Sequence, residues 1–236
     1  MKFNEIPKFV INLERRPDRL EKVKKELEYI GWDYEVFKAI DTNSYMGITR
    51  SILEIVKIAK EKKYPRIMII EDDIAFMPYA KDLLNKLEDV CEGLTFGVFN
   101  LSPTLNRFIN RSTENELLLD MTNLPERPEH FRDIYACNTL ILDESIYDEL
   151  FKISEVAFPS GDFFYAIDDF IFKFIIQNFQ SYCPILPIAP QGHDVSNISE
   201  GTYNNFYLQT YNWNLYSPAK IPSEFLNQEN NQEVKK

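Results

Sequence analysis

Histidine, cysteine and glycine are scarce in this chain, at two, three and seven among 236. Cys91, Cys137 and Cys183 are odd in number and scattered, which excludes both a cysteine zinc site and the paired framework of a small secreted domain. Buried free thiols are expected. No glycine-rich phosphate loop is present, and that absence removes P-loop kinases and dinucleotide oxidoreductases. The N-terminus lacks the apolar core of a secretion signal, and no apolar run is long enough for a membrane span. A cytoplasmic location is the expectation.

Positive charge is also in deficit. Twenty-six Lys and Arg face 37 Asp and Glu, a formal net charge of −11, which opposes a broad footprint on nucleic-acid phosphates. Two local basic segments remain, Arg15 to Lys25 and Lys57 to Arg66, and each reads as a solvated helix face. Against these deficits stands ample apolar material, 44% hydrophobic and 14% aromatic residues, enough for one large globular domain. That domain is expected over 1–220. The polar, Asn- and Gln-rich 221–236 reads as a flexible tail.

The pattern along the chain alternates. Lys8 to Leu13 reads as a strand, and Arg16-Pro17-Asp18-Arg19 opens a helix whose Leu20, Val23, Leu27 and Ile30 recur at helical spacing until Gly31. Asp33 to Ile40 suits a second strand, Gly47 to Glu61 a second helix, and Arg66 onward a third strand. This β-α-β-α-β order predicts an α/β fold with a Rossmann-like, mostly parallel central sheet flanked by helices. Further on, a helix to Val90, a strand over Thr95 to Leu101 and an irregular segment over Ser102 to Arg132 are expected. A strand over Ile134 to Leu142, a helix over Glu144 to Ile153, an aromatic-rich helix over Asp168 to Phe179 and a strand over Ser181 to Leu186 follow.

The third strand, Arg66-Ile67-Met68-Ile69-Ile70, ends in Glu71-Asp72-Asp73. Ligands of open α/β sheets gather beyond the carboxyl ends of such strands, and oxygen donors there suit Mg²⁺ or Mn²⁺ bridging phosphate oxygens. An acidic turn capping the next helix is the structural alternative. If the chain stays extended, Glu71 and Asp73 share a side and Asp72 turns away; if the strand has ended, Asp72 faces the ligand instead. Asp73 is the first choice as direct metal ligand, with Glu71 binding the metal through water or holding the ribose. Asn12, Leu13, Arg15, Arg16 and Arg19 follow the first strand, where Arg offers bidentate donors to phosphate. Asp41 ends the second strand, a common place for a carboxylate that binds ribose. Asp162, Asp168 and Asp169 lie among aromatic residues that desolvate carboxylates and stack on sugars. Asp169 and Asp168 are the candidates for a catalytic base, helix capping being the alternative.

The order of Phe9 to Arg19, Phe37 to Asp41, Gly47 to Ser51 and Ile69 to Phe76 resembles family 25 glycosyltransferases, the lipopolysaccharide- and collagen-modifying sugar transferases, with a weaker echo near Pro190 to Ile198. The resemblance implies a GT-A type fold, a nucleotide-sugar donor that is usually uridine-linked, a divalent metal and inversion at the anomeric carbon. It points to His193, in Pro190-Gln191-Gly192-His193, as a further metal ligand, and to a hydroxyl acceptor that is a saccharide by default. A hydroxymethylated DNA base, as in compact viral enzymes, is the other acceptor considered. One departure is visible: Ser51-Ile52 stands where the family usually carries Ser-His.

Overall fold

The computed structural model describes residues 1–42, 44–105, 113, 115–122, 134–135, 138–157, 163, 165–192, 194–195, 202–203 and 205–226. Strand β1 (Lys8–Asn12) is buried throughout, so its centre Phe9-Val10-Ile11 is apolar on both faces. Helix α1 (Pro17–Ile30) starts on a proline whose ring fixes the helical φ and stops at Gly31, whose φ of 84° lets its N–H reach the Leu27 carbonyl. Its inward stripe is Arg19, Val23 and Leu27, four residues apart.

Strand β2 (Glu35–Lys38) is shorter than the Asp33 to Ile40 expected, because it is an edge strand that β1 can pair only from Phe9 to Asn12. Helix α2 (Tyr45–Lys62) begins two residues before the expected Gly47, since the Ser44 hydroxyl accepts the Met46 N–H and caps it there. Gly47 cannot be replaced freely: a Cβ would run into the Ile40 carbonyl oxygen, so the bare glycine lets the helix sit against its incoming loop. Strand β3 (Arg66–Glu71) and helix α3 (Ala80–Val90) complete the first half.

The second half contains β4 (Val98–Asn100), β5 (Thr104–Leu105), β6 (Leu118–Asp120), β7 (Ile134–Tyr135), β8 (Thr139–Asp143) and α4 (Tyr147–Phe151). Then come α5 (Ile167–Phe170), β9 (Ser181–Pro184), β10 (Asp194–Val195), β11 (Thr202–Tyr203), α6 (Asn205–Tyr216) and α7 (Ser223–Leu226). The central sheet has seven strands in the order β2-β1-β3-β8-β4-β9-β6. β2, β1 and β3 are mutually parallel and β4 is parallel to β9, while β8 and the edge strand β6 run the other way.

Two expected elements divide. Of the strand over Ile134 to Leu142, only Thr139–Asp143 joins the central sheet, matched to Ile70 through Arg66 of β3; Ile134–Tyr135 pairs instead with Thr104–Leu105. The helix over Asp168 to Phe179 is a four-residue α segment continued by a π-helical turn, Ile171–Ile175. The widened turn shifts the helical phase, so that Phe170, Ile171, Phe172 and Ile175 all reach the core.

Alternation along the strands divides the core. Phe9, Ile11, Ile67 and Ile69 pack with α2 and α5, and Val10, Met68 and Ile70 pack with α1 and α3. Each of the buried isoleucines of β3 contributes on the order of 2 kcal/mol. Ile52, at the position of the family histidine, is part of the first core and 1% exposed. Cys91 and Cys183 are buried free thiols, as expected, and Cys137 lies outside the described residues. Beyond residue 220, Ile221 is buried and the Phe225 ring lies 5.1 Å from that of Tyr79, so packing reaches at least to Phe225. Among the described residues, no helix is long and apolar enough to cross a membrane.

Candidate active site at the carboxyl ends of the first three strands

The parallel strands β1 and β3 deliver their ends side by side. Glu71 is the last residue of β3 and stands opposite Ile11 of β1, which puts it on the α2 face. The strand stops there, and Asp72 and Asp73 follow in a turn. Asp72 therefore does not turn away from Asp73, as an extended chain would require. The guanidinium Nη1 of Arg19 lies 3.1 Å from Asp72 Oδ1 and 3.2 Å from Asp73 Oδ2, joining both.

Each acid has a second holder. Asn12, at the end of β1, donates its amide to Asp72 Oδ2 at 2.6 Å and to the Arg16 carbonyl at 3.0 Å. Gln191 donates to Asp73 Oδ2 at 2.8 Å. Gln191 is brought there by a backbone strap: Met77 N–H donates to the Ile188 carbonyl, Ala75 N–H to that of Pro190, and Gly192 N–H to that of Asp73. A Cβ at Gly192 would stand 3.0 Å from the Asp73 carbonyl oxygen, a tight contact that glycine avoids. The late family echo is thus zipped onto the acids themselves. Its histidine, His193, lies outside the described residues, as does Asp162.

A pocket of about 140 Å³ opens between the three strand ends and the start of α2. Glu71, Asp72, Asp73, Arg19, Arg15 and Asp41 all line it, with Leu13 and Gln191. Arg15 and Asp41, expected separately as phosphate and ribose contacts, face each other: Arg15 Nε lies 2.7 Å from Asp41 Oδ2 and Nη2 3.3 Å from Oδ1. Arg16 is not a pocket residue. It folds onto Asp18 at 2.7 Å, and that bond holds the Asp18 carboxyl down at about 2.

Burial, with crowding of like charge behind it, governs the titration of Glu71 and Asp72. Burial, reinforced by Asp73, Asp72 and Asp168, holds Glu71 well above the usual carboxylate range, with Arg19 opposing. Asp72 is raised by burial and by Asp73, and lowered by Arg19 and the Asn12 hydrogen bond. The Asp168 contribution brings α5 to the site: its carboxylate is within electrostatic reach of Glu71. Asp168 does not cap α5, whose N-cap is Ala166; its Oδ1 accepts the Asp169 N–H at 2.9 Å. Asp169 is half-buried in the same first turn.

The donors fit a hard cation in kind, being carboxylates that already share one positive charge. In number they form no protein cage, since among the described residues no group of three or more His, Cys, Asp or Glu side chains is arranged around a metal position. Magnesium-like ions are commonly held by one or two carboxylates together with substrate phosphates, and that mode remains compatible with this arrangement.

Two site residues escaped sequence reasoning. Gln191 carried only the weak signal of a Pro-Gln-Gly turn, and the structural part of Gly47 needed the loop it touches. The inward placement of Arg19 was visible in principle, as the first member of the Arg19-Val23-Leu27 stripe.

Residues 5–58 match the model of glycosyltransferase family 25, described as an LPS biosynthesis protein. No curated protein sequence matches the chain. Among solved structures, a glycosyltransferase involved in glycosylation of the major capsid of PBCV-1 aligns at 10% identity and TM-score 0.43, over 72% of this chain and 75% of that one. An apo UDP-glucose pyrophosphorylase aligns at 10% identity and TM-score 0.43, over 92% and 70%. The inositol-1-phosphate CTP transferase of T. maritima aligns at 13% identity and TM-score 0.42, over 77% and 67%. The family match is confined to β1, α1, β2 and most of α2, the elements that build one wall of the pocket, so it is to this part of the chain that family 25 glycosyltransferases are similar.

Proposed function

We propose that this protein transfers a sugar from a uridine-linked nucleotide donor to a saccharide hydroxyl, with inversion, assisted by Mn²⁺ or Mg²⁺. The observation that carries the reading is the gathering of four acids and two arginines around one pocket at the carboxyl ends of β1, β2 and β3. Arg15 at the rim offers its planar fork to phosphate, and Asp41 offers acceptor oxygens to ribose hydroxyls. Asp73 and Glu71 are the proposed protein ligands of the ion, with His193 as the third ligand that the family resemblance suggests. When bound, the ion supplies positive charge to the departing diphosphate.

Asp72 orients the site through Asn12 and Arg19, and the Gln191 strap fixes the Asp73 carboxylate. The acceptor hydroxyl must lose a proton as the anomeric carbon becomes electron-poor, and a desolvated carboxylate suits that task. Asp168 is the preferred base over Asp169, because its charge is felt at Glu71. Holding donor and acceptor together supplies much of the remaining rate.

Asp73→Asn tests the assignment. The amide keeps the side-chain shape but loses the charge shared with Arg19, so transfer should fall by about 10²-fold or more, as when a positioned electrostatic group is removed, with far-ultraviolet circular dichroism unchanged. Near-normal transfer by the folded variant in the presence of Mn²⁺ would rule out this site.

A further inference from the structure

We infer that Arg19 is the resident counter-cation of the Asp72 and Asp73 carboxylates, and that its release by a nucleoside diphosphate governs when a divalent ion is held. The inference rests on the metal-assisted reading above and concerns the order in which the site fills.

Arg19 is placed by the fold and not by chance contact. It is the first residue of the buried stripe of α1, so the packing of Val23 and Leu27 against the sheet delivers its side chain to the end of β3. The residue is 6% exposed, and one nitrogen, Nη1, stands close to both acids at 3.1 and 3.2 Å. Asn12 donates to the other oxygen of Asp72, and Gln191 donates to the same Asp73 oxygen that Arg19 approaches. A divalent ion entering this arrangement meets a fixed positive charge at short range, a repulsion that the partly desolvated setting strengthens relative to water.

The same guanidinium lines the pocket that receives the diphosphate. A diphosphate offers Arg19 a second anion and offers the ion additional oxygens, so the exchange frees the aspartates as it brings the phosphates in. Ion and diphosphate are then coupled ligands: each tightens the other by the same factor, and the protein alone holds the ion weakly because the competent state is rare.

Mn²⁺ binding, followed by the electron paramagnetic resonance of the unbound ion, tests this with and without uridine diphosphate. The wild-type protein should bind Mn²⁺ weakly alone and about tenfold or more tightly with the diphosphate. Arg19→Met should bind Mn²⁺ alone about tenfold more tightly than the wild type and gain little from the diphosphate. A folded Arg19→Met that binds Mn²⁺ no better than the wild type overturns the inference. So does a wild-type protein whose Mn²⁺ affinity is the same in both conditions, a measurement that decides the matter even if the variant does not fold. Sugar release measured in parallel separates the two claims: Mn²⁺-dependent turnover of a nucleotide sugar by a wild type whose ion affinity ignores the diphosphate leaves the transferase standing and removes only Arg19's part.

Discussion

Asn12→Ala isolates the hydrogen bond that fixes the acid cluster to the sheet. Asn12 is 5% exposed, and its amide serves the Asp72 carboxylate at 2.6 Å and the Arg16 carbonyl at 3.0 Å. A bond to a charged group is worth about 1.5–3 kcal/mol and a neutral one about 1, so their loss should cost about 3 kcal/mol. For a chain of this size that corresponds to a fall in Tm on the order of 10 °C. The deficit should depend on pH in a set direction. The Asn12 bond lowers an Asp72 pKa that burial and Asp73 have raised, so its removal raises that pKa further. A raised carboxylate loses stability as pH climbs through its folded pKa, and the variant should therefore fall furthest behind at about pH 8 and recover part of the gap at about pH 5. Differential scanning fluorimetry at both values measures this. A shift under about 2 °C, or a gap that widens on acidification, would refute the placement of Asn12 as the anchor of a charged Asp72.

Glu71→Gln should act in the opposite sense on stability. Glu71 is held well above the usual carboxylate range, so ionising it costs folding free energy as pH rises; the glutamine variant should melt higher at neutral pH, with a flatter pH dependence, while transferring sugar more slowly. A lower Tm would contradict the crowding described at the end of β3. Gly47→Ala should cost about 1–3 kcal/mol, because the added methyl group meets the Ile40 carbonyl and forces the β2–α2 loop outward. Ile40, Asp41 and Thr42 line the pocket, so KM for the donor should rise along with the loss of Tm; wild-type values of both would show that the contact is yielding.

The parts legible in the sequence are those with local causes. Pro17 and Gly31 bound α1, helical spacing marks its inward face, and the unbroken Ile67-Met68-Ile69-Ile70 run announces a strand buried on both sides. The acids, the arginines and Asp41 were placed at strand ends by the same reasoning, and all but Arg16 do line or brace one pocket. What stayed hidden depends on partners distant in the chain. The insertion of β8, antiparallel, between β3 and β4 has no signature in an apolar run that suits either direction. The division of Ile134 to Leu142 depends on which strands it meets. Arg19 reads as a phosphate contact, and its pairing with Asp72 and Asp73 shows only when those distant acids are seen beside it; Gln191 is 118 residues from the aspartate it holds.

Turnover of activated sugars tests the central claim most directly. A panel of nucleotide sugars is incubated with the purified protein, once with Mn²⁺ and once with a chelator, and free sugar and nucleoside diphosphate are quantified. Release from a uridine-linked donor with the ion, abolished by the chelator and by Asp73→Asn, is the predicted result. No release from any donor under either condition would contradict it.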